Sequence, residues 1–247
     1  MKKKKLLSSW WQFRLLGLAV LLFFVLFLPG QNYYETLQLE YKAPLVRANE
    51  LDSFIPSKYP KKIYQEDPPI VSAESAVVTD MESGITLFSK NPNQRLQPAS
   101  ITKLMTALVA LDYYKAEQVL TVRRLVPAKG ESEMGLAVED KVSVHNLIYG
   151  LLVPSGNDAA YTLADNYYGG FENFIYSMNK KAQDLHMVNT HFENPSGLDS
   201  SDHYSSAKDI SLLTTAALKN KFISDAVATY GITLGDATGK KSYPMKN

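Results

Sequence analysis

The sequence contains no cysteine among its 247 residues, which excludes disulfide bonds, thiolate metal sites and a cysteine nucleophile. It also lacks an excess of charge, because 26 basic residues balance 25 acidic ones. This balance gives no electrostatic reason to expect nucleic acid as a partner. The four histidines match neither the HExxH nor the HxxEH pattern of zinc enzymes. We therefore expect no metal site.

Long apolar runs are confined to the first thirty residues. Lys2 to Lys5 form a basic cluster, and an uncharged apolar run covers residues 15–28. Extended back to Trp10, this run would form roughly 28 Å of helix, enough to cross a bilayer. We favour an uncleaved membrane anchor over a removed secretion signal, because no A-x-A-like cleavage site follows the run. We expect the remainder at the extracytoplasmic face of the cell membrane, or secreted if the segment is cleaved.

The composition divides the chain into three parts. Residues 1–30 are interpreted as the basic end and the membrane anchor or signal. Residues 31–69 are rich in proline and show no sustained hydrophobic period, which is typical of a flexible tether. We expect the folded part in residues 70–247.

The folded part begins with strand patterns and continues with helical ones. The runs "SAVVTD" and "ITLFSK" predict a hairpin joined by "MESG", in which Gly84 supplies a positive φ. Strands precede helices without alternating units, which indicates an α+β fold. The first predicted helix begins near Pro98 and has a buried stripe of Ile101, Leu104, Met105, Leu108 and Leu111. Four further helices are predicted over residues 143–152, 157–168, 171–187 and 205–218. The last of these begins with Ser206 and Asp209 as a capping box.

Ser-x-x-Lys occurs three times, and only the pair Ser100 and Lys103 stands at the start of a strongly apolar helix. Residues three apart share a helical face, so the Lys103 amine can reach the Ser100 hydroxyl. A serine needs a base to become a nucleophile, and a buried lysine can be that base. The simpler alternative is a helix-capping serine followed by a surface lysine.

A second pattern is the loop "LLVPSGNDAA", which places Ser155 and Asn157 between two predicted helices. A hydroxyl and an amide on such a supported loop can relay a proton and hold a substrate carbonyl. The alternative interpretation is a plain turn, with Asn157 as a helix N-cap.

"PASITKLMTA" followed by "VPSGNDAA" resembles the serine D-alanyl-D-alanine carboxypeptidases, the low-molecular-weight penicillin-binding proteins. The likeness extends over about residues 70 to 230. It implies a β-lactamase/transpeptidase-like fold, in which a helical subdomain packs on an antiparallel sheet. It implies peptidoglycan stem peptides as substrates, β-lactam antibiotics as inhibitors, and no metal or organic cofactor.

The resemblance also implies a role for each motif residue. Ser100 would attack the carbonyl between the two terminal D-alanines, and Lys103 would take its proton. Ser155 would pass that proton to the departing D-alanine, while Asn157 would hold the substrate amide and orient Lys103.

The chain departs from the family pattern in one respect, because it contains no Lys-Thr-Gly motif. In the family this motif lies on a C-terminal strand beside the nucleophile. We expect the sequence to be truncated before these C-terminal strands. Residues 1–247 alone are then expected to be unstable and nearly inactive, and the longer form to be the enzyme.

Two other functions stay open. In a class A β-lactamase, a glutamate hydrolyses the acyl intermediate, and Glu193 falls at a tempting distance after Ser155; however, Asn194 follows it directly instead of four residues later. The missing Lys-Thr-Gly motif favours a catalytically dead, membrane-tethered wall-binding protein.

Overall fold

The computed structural model of the chain describes residues 16–18, 20, 59–61, 67–125 and 132–247. The chain divides into two units, residues 1–56 and residues 57–247. In the first unit, residues 16–18 and 20 are helical. The rest of the predicted anchor and most of the predicted tether lie outside the described residues, so these boundaries stay predictions. No helix in the described part is both long and apolar enough to cross a membrane.

The second unit combines helices with short antiparallel strands. Within the described residues, each consecutive pair of strands along the chain forms its own two-stranded antiparallel sheet. Helices and strands do not alternate in parallel units within the described residues, which confirms the α+β prediction. The helices are α1 (Thr102–Tyr113), α2 (Val144–Leu152), α3 (Asn157–Asp165), α4 (Gly170–Asp184), α5 (Ala207–Lys219) and α6 (Lys221–Val227), and the strands are β1 (Ala76–Thr79), β2 (Thr86–Lys90), β3 (Val119–Thr121), β4 (Lys141–Ser143), β5 (Gly231–Gly235) and β6 (Ser242–Lys246).

The predicted hairpin is confirmed as β1 and β2. Ala76 pairs with Lys90, and Val78 pairs with Phe88. Gly84 takes a φ of +73° in the connecting turn, a conformation that glycine adopts without steric cost.

Helix α1 is the centre of the helical part, and it begins later than predicted. A short 3-10 turn, Ala99–Ile101, precedes its first residue, Thr102. The predicted buried stripe is wrong for Ile101, which is 46% exposed. Other helices instead pack around α1, which contacts α2, α3, α4 and α5. The small, buried side chains of Ala107 and Ala110 leave room for these neighbours.

The start of α5 confirms one half of the predicted capping box. The hydroxyl of Ser206 accepts a hydrogen bond from the N–H of Asp209 at 3.2 Å. The Asp209 carboxylate does not return to Ser206, since it accepts hydrogen bonds from the N–H of Asn189 and the hydroxyl of Thr190. Asp209 therefore ties the preceding chain to α5.

Residues 193–203 form a loop that packs directly against the turn bearing Ser100. Its first half is organised by Asn194, whose Oδ1 accepts hydrogen bonds from the N–H groups of Ser196, Gly197 and Leu198 at 2.8–3.1 Å. A Cβ atom on Gly197 would lie 1.8 Å from the carbonyl oxygen of Ala99. Only glycine therefore allows this close approach of the loop to the turn.

The second half of the loop is joined to α1 by His203, which is 2% exposed. The N–H of Glu193 points at Nδ1 of His203 at 3.1 Å. Because a backbone N–H can only donate, Nδ1 accepts, and the ring proton of the neutral imidazole is on Nε2. Nε2 lies 2.9 Å from Oγ1 of Thr102, so His203 donates to the first residue of α1.

We expect Gly197→Ala to lower the free energy of unfolding by about 1–3 kcal/mol more than Gly84→Ala does, because the new Cβ overpacks a backbone contact. Gly84 is the matched control, since its φ is also positive but its Cβ would meet nothing within 4 Å. Urea denaturation of both variants measures the difference. Equal losses would show that Gly197 is needed for its backbone conformation alone.

We expect the free energy of unfolding to depend on pH through His203. Burial lowers the pKa of its imidazole below 6.5, so the unfolded chain binds the proton more tightly. The stabilisation by His203 is therefore complete above pH 6.5 and is lost as the pH falls from 6.5 through the lower pKa of the folded state. Denaturant titrations of the wild type and of His203→Gln between pH 5 and 8 should converge towards acid pH. A difference between the two proteins that stays constant over this pH range would contradict this role of His203.

Candidate active site

The Ser100 hydroxyl stands at the entrance to helix α1. Ser100 is the middle residue of the 3-10 turn Ala99–Ile101 and is exposed. The preceding residue, Ala99, has a φ of +49°, a left-handed conformation that costs a non-glycine residue about 1–2 kcal/mol. Such strain persists only where the surroundings fix the backbone, and here the residues 193–203 loop packs against Ala99.

The Lys103 amine is buried and lies between two serine hydroxyls. Its Nζ is 3.1 Å from Oγ of Ser100 and 3.1 Å from Oγ of Ser155. Lys103 is 2% exposed, which excludes the interpretation of a surface lysine. The first distance follows from the spacing of three residues on one helical turn, whereas the second joins residues 52 apart in sequence.

Ser155 and Asn157 are presented by the tight connection between α2 and α3. Ser155 has a φ of +62°, so its backbone is strained like that of Ala99. The residue between them must be glycine, because a Cβ on Gly156 would lie 2.6 Å from the carbonyl oxygen of Gly150. The N-cap of α3 is Gly156, and Asn157 is the first helical residue. The interpretation of Asn157 as the N-cap is therefore wrong.

The carboxylate of Asp158 fixes this connection to the chain on its other side. Its Oδ1 accepts hydrogen bonds from the N–H groups of Met134 and Ala159, and its Oδ2 accepts from those of Gly135 and Leu136, all at 2.8–2.9 Å. The N–H of Asn157 donates to the carbonyl oxygen of Ser132 at 2.9 Å. Hydrogen bonds therefore hold the α2–α3 connection and residues 132–136 together.

A cavity of about 610 Å³ opens in front of the Ser100 hydroxyl. Lys103 and Ser155 are not among the residues that line the cavity. Among the described residues, no group of histidine and acidic side chains is placed to hold a metal ion. The cavity lining consists of Ala99, Ser100, Ser132, Asn157, Ser196, Gly197, Leu198 and Asp199.

The other two Ser-x-x-Lys pairs form no such arrangement. Ser177 donates to the carbonyl oxygen of Asn173, and Lys180 pairs with Asp184 on the surface of α4. Ser205 is hydrogen-bonded to Thr190. Among the three pairs, Ser100 and Lys103 are the ones that the structure brings together with a second serine hydroxyl.

Sequence reasoning missed several residues that support the site. Asn194 and His203 hold the residues 193–203 loop, whose Gly197 packs against Ala99, and Asp158 holds the connection that carries Ser155. The Asn-Pro-Ser-Gly run at residues 194–197 is a turn signal that could have identified the first of them. No local signal marks His203, because its partner Thr102 is 101 residues away.

Comparison with known proteins agrees with this geometry. The family model of the D-alanyl-D-alanine carboxypeptidases matches residues 62–237. D-alanyl-D-alanine carboxypeptidase DacF of Bacillus subtilis is 37% identical over 195 residues, which cover 76% of this chain and 50% of that protein. DacD of Escherichia coli is 40% identical over 166 residues, which cover 63% of this chain and 43% of that protein. The chain therefore spans about half the length of these curated relatives.

Solved structures show the same fold. A mutant of the Streptomyces K15 DD-transpeptidase superposes with a TM-score of 0.68 at 33% identity, covering 73% of this chain and 75% of that one. Penicillin-binding protein 6B of Escherichia coli superposes with a TM-score of 0.67 at 33% identity, covering 77% of this chain and 63% of that one. The expected transpeptidase-like fold is thus confirmed. The matched family model, the relatives and the arrangement of Ser100, Lys103 and Ser155 together show that this chain belongs to the D-alanyl-D-alanine carboxypeptidase family.

Proposed function

We propose that the protein is a serine-type D-alanyl-D-alanine carboxypeptidase that removes the terminal D-alanine from peptidoglycan stem peptides and is acylated by penicillins. One observation carries this proposal: the buried Lys103 Nζ lies 3.1 Å from the hydroxyls of both Ser100 and Ser155. A base shared by two hydroxyls can accept a proton from one and return it through the other.

The first half of the proposed reaction forms an acyl-serine. The Ser100 oxygen attacks the carbonyl carbon of the penultimate D-alanine as its proton passes to Lys103. Burial disfavours the charged form of an amine, so the buried site of Lys103 favours the neutral base that this step requires. The proton then moves from Lys103 through the Ser155 hydroxyl to the nitrogen of the terminal D-alanine, and the C–N bond breaks.

The second half returns the enzyme to its starting state. Water attacks the ester carbonyl of acyl-Ser100, one proton of the water passes to Lys103, and the Ser100 oxygen leaves and takes that proton back. The side chain of Asn157 lines the cavity beside Ser100 and is 5% exposed. We assign it to holding the substrate amide, a role that its position on the rigid α2–α3 connection supports.

We further propose that the N-terminal segment anchors the protein in the cell membrane with the site on the extracytoplasmic face. The basic cluster Lys2–Lys5 followed by the apolar run at residues 15–28 supports this orientation. A site outside the membrane matches a substrate in the cell wall.

In the longer form, which the sequence predicts to be the enzyme, we expect Ser100→Ala to abolish labelling by a fluorescent penicillin and release of D-alanine from a peptide ending in D-alanyl-D-alanine. Ser177→Ala is the matched control, because Ser177 belongs to a second Ser-x-x-Lys pair on the surface of α4 and should label like the wild type.

Intact cells are treated with a penicillin that does not cross membranes, and the label is followed into the membrane fraction. A wild-type protein that stays unlabelled would favour the catalytically dead wall-binding protein. Label in the soluble fraction would contradict the membrane anchor and leave the proposed activity standing.

The β-lactamase alternative depends on Glu193, and the geometry of Glu193 disfavours it. The Glu193 carboxylate accepts hydrogen bonds from the hydroxyl of Ser200 and, at 3.1 Å, from the N–H of Asp202. The hydrogen bond from Ser200 lowers the pKa of Glu193, which weakens it as a general base. Glu193 also does not line the cavity that contains Ser100.

We therefore expect the penicilloyl-Ser100 adduct to persist, because Glu193, the residue that would activate the hydrolytic water in a β-lactamase, does not line the cavity at Ser100. The lifetime of the adduct is measured by intact-protein mass spectrometry after excess penicillin is removed. Glu193→Gln should leave this lifetime unchanged. Rapid loss of the adduct in the wild type, slowed by Glu193→Gln, would instead show a β-lactamase.

A further inference from the structure

One acidic side chain, that of Asp199, is among the residues that line the cavity. It is exposed and forms no hydrogen bond or ion pair with any residue that the structure describes. Two carboxylates near the site are fully engaged, since Asp158 accepts four backbone N–H groups and Glu193 accepts from Ser200 and Asp202. The Asp199 charge is thus available to a molecule in the cavity.

The backbone that carries Asp199 is held rigidly beside the nucleophile. Asn194 accepts the N–H groups of the three residues that precede Asp199, and its Nδ2 donates to the carbonyl oxygen of Leu198 at 2.8 Å. Gly197 packs against Ala99, the neighbour of Ser100. A carboxylate on such a support loses little conformational freedom when it binds a ligand.

The charge of Asp199 also determines how a peptide can lie in the cavity. A peptide ending in D-alanyl-D-alanine has a terminal carboxylate, which a second carboxylate repels. When its scissile carbonyl meets Ser100, this terminus must therefore point away from Asp199. The part of the peptide on the N-terminal side of the scissile bond is left on the Asp199 side of the cavity.

We propose that Asp199 is a specificity-determining residue that binds an ammonium group carried by the acyl-donor part of the substrate peptide. This inference rests on the proposed function, because it concerns the same cavity and the same acyl transfer. It adds the chemical class of side chain that the site prefers, a cationic amine over a neutral group.

The test compares two peptides that differ in one charge, Nα-acetyl-lysyl-D-alanyl-D-alanine and the same peptide acetylated on Nε. The wild type should prefer the free amine about fivefold in kcat/KM, the size expected for an ion pair that is open to water. The preference should appear mainly as a lower KM for the peptide with the free amine, and it should decrease with added salt. Asp199→Asn keeps the size and polarity of the side chain and should bring the ratio close to one.

Asp202→Asn is the matched control for the charge of the loop. Asp202 belongs to the same loop, its Oδ2 lies 3.2 Å from Nδ1 of His191, and it does not line the cavity. It should retain the wild-type preference. Equal preference in the wild type and in Asp199→Asn, or an equal loss in both aspartate variants, would overturn the assignment of Asp199.

Two measurements separate this inference from the proposed function. Penicillin acylation of each preparation reports on Ser100 chemistry, and calorimetric binding of both peptides to Ser100→Ala reports on recognition alone. Tighter binding of the free amine to Ser100→Ala, lost in Ser100→Ala/Asp199→Asn, supports the role of Asp199. Normal acylation with equal affinities for both peptides would overturn that role and leave the proposed function standing, whereas failure of acylation would overturn the proposed function.

Discussion

The site depends on a buried amine placed between two hydroxyls that come from different parts of the chain. Lys103 is 2% exposed, and its Nζ is 3.1 Å from both Ser100 and Ser155. Removing an ammonium group from water is costly unless other groups compensate or the amine loses its proton. Lys103 is therefore not a surface charge, and both serine hydroxyls are its hydrogen-bond partners. The rest of the structure can be understood as the support that keeps the three side chains together.

Two backbone positions in this support are strained, and both are held in place by glycine contacts. Ala99 and Ser155 have φ values of +49° and +62°, and each costs about 1–2 kcal/mol. Gly197 packs on the first, and Gly156 follows the second, with no room for a Cβ at either glycine. The tight packing prevents the backbone from relaxing at these two positions.

Several residues that hold the site in place contact the segments next to Ser100 and Ser155 and not these two hydroxyls themselves. Asn194 and His203 shape the residues 193–203 loop, while Asp158 fixes the connection between α2 and α3. The same loop brings Asp199 to the cavity wall. A single segment therefore packs against the turn bearing Ser100 on one side and presents the charge of Asp199 to the cavity on the other.

The sequence by itself determined whatever depends on near neighbours in the chain. Helix periodicity predicted most of the helices and placed Ser100 next to Lys103, and Gly84 marked the hairpin turn. The strands β3 and β4 and the helix α6 are too short for their patterns to stand out, and the strands β5 and β6 were also not predicted. Only the tertiary structure decided that Lys103 is buried, that Ser155 completes its surroundings from 52 residues away, and that His203 reaches Thr102 across 101 residues. Local spacing fixes local geometry, but burial and long-range hydrogen bonds arise only when separate segments pack together.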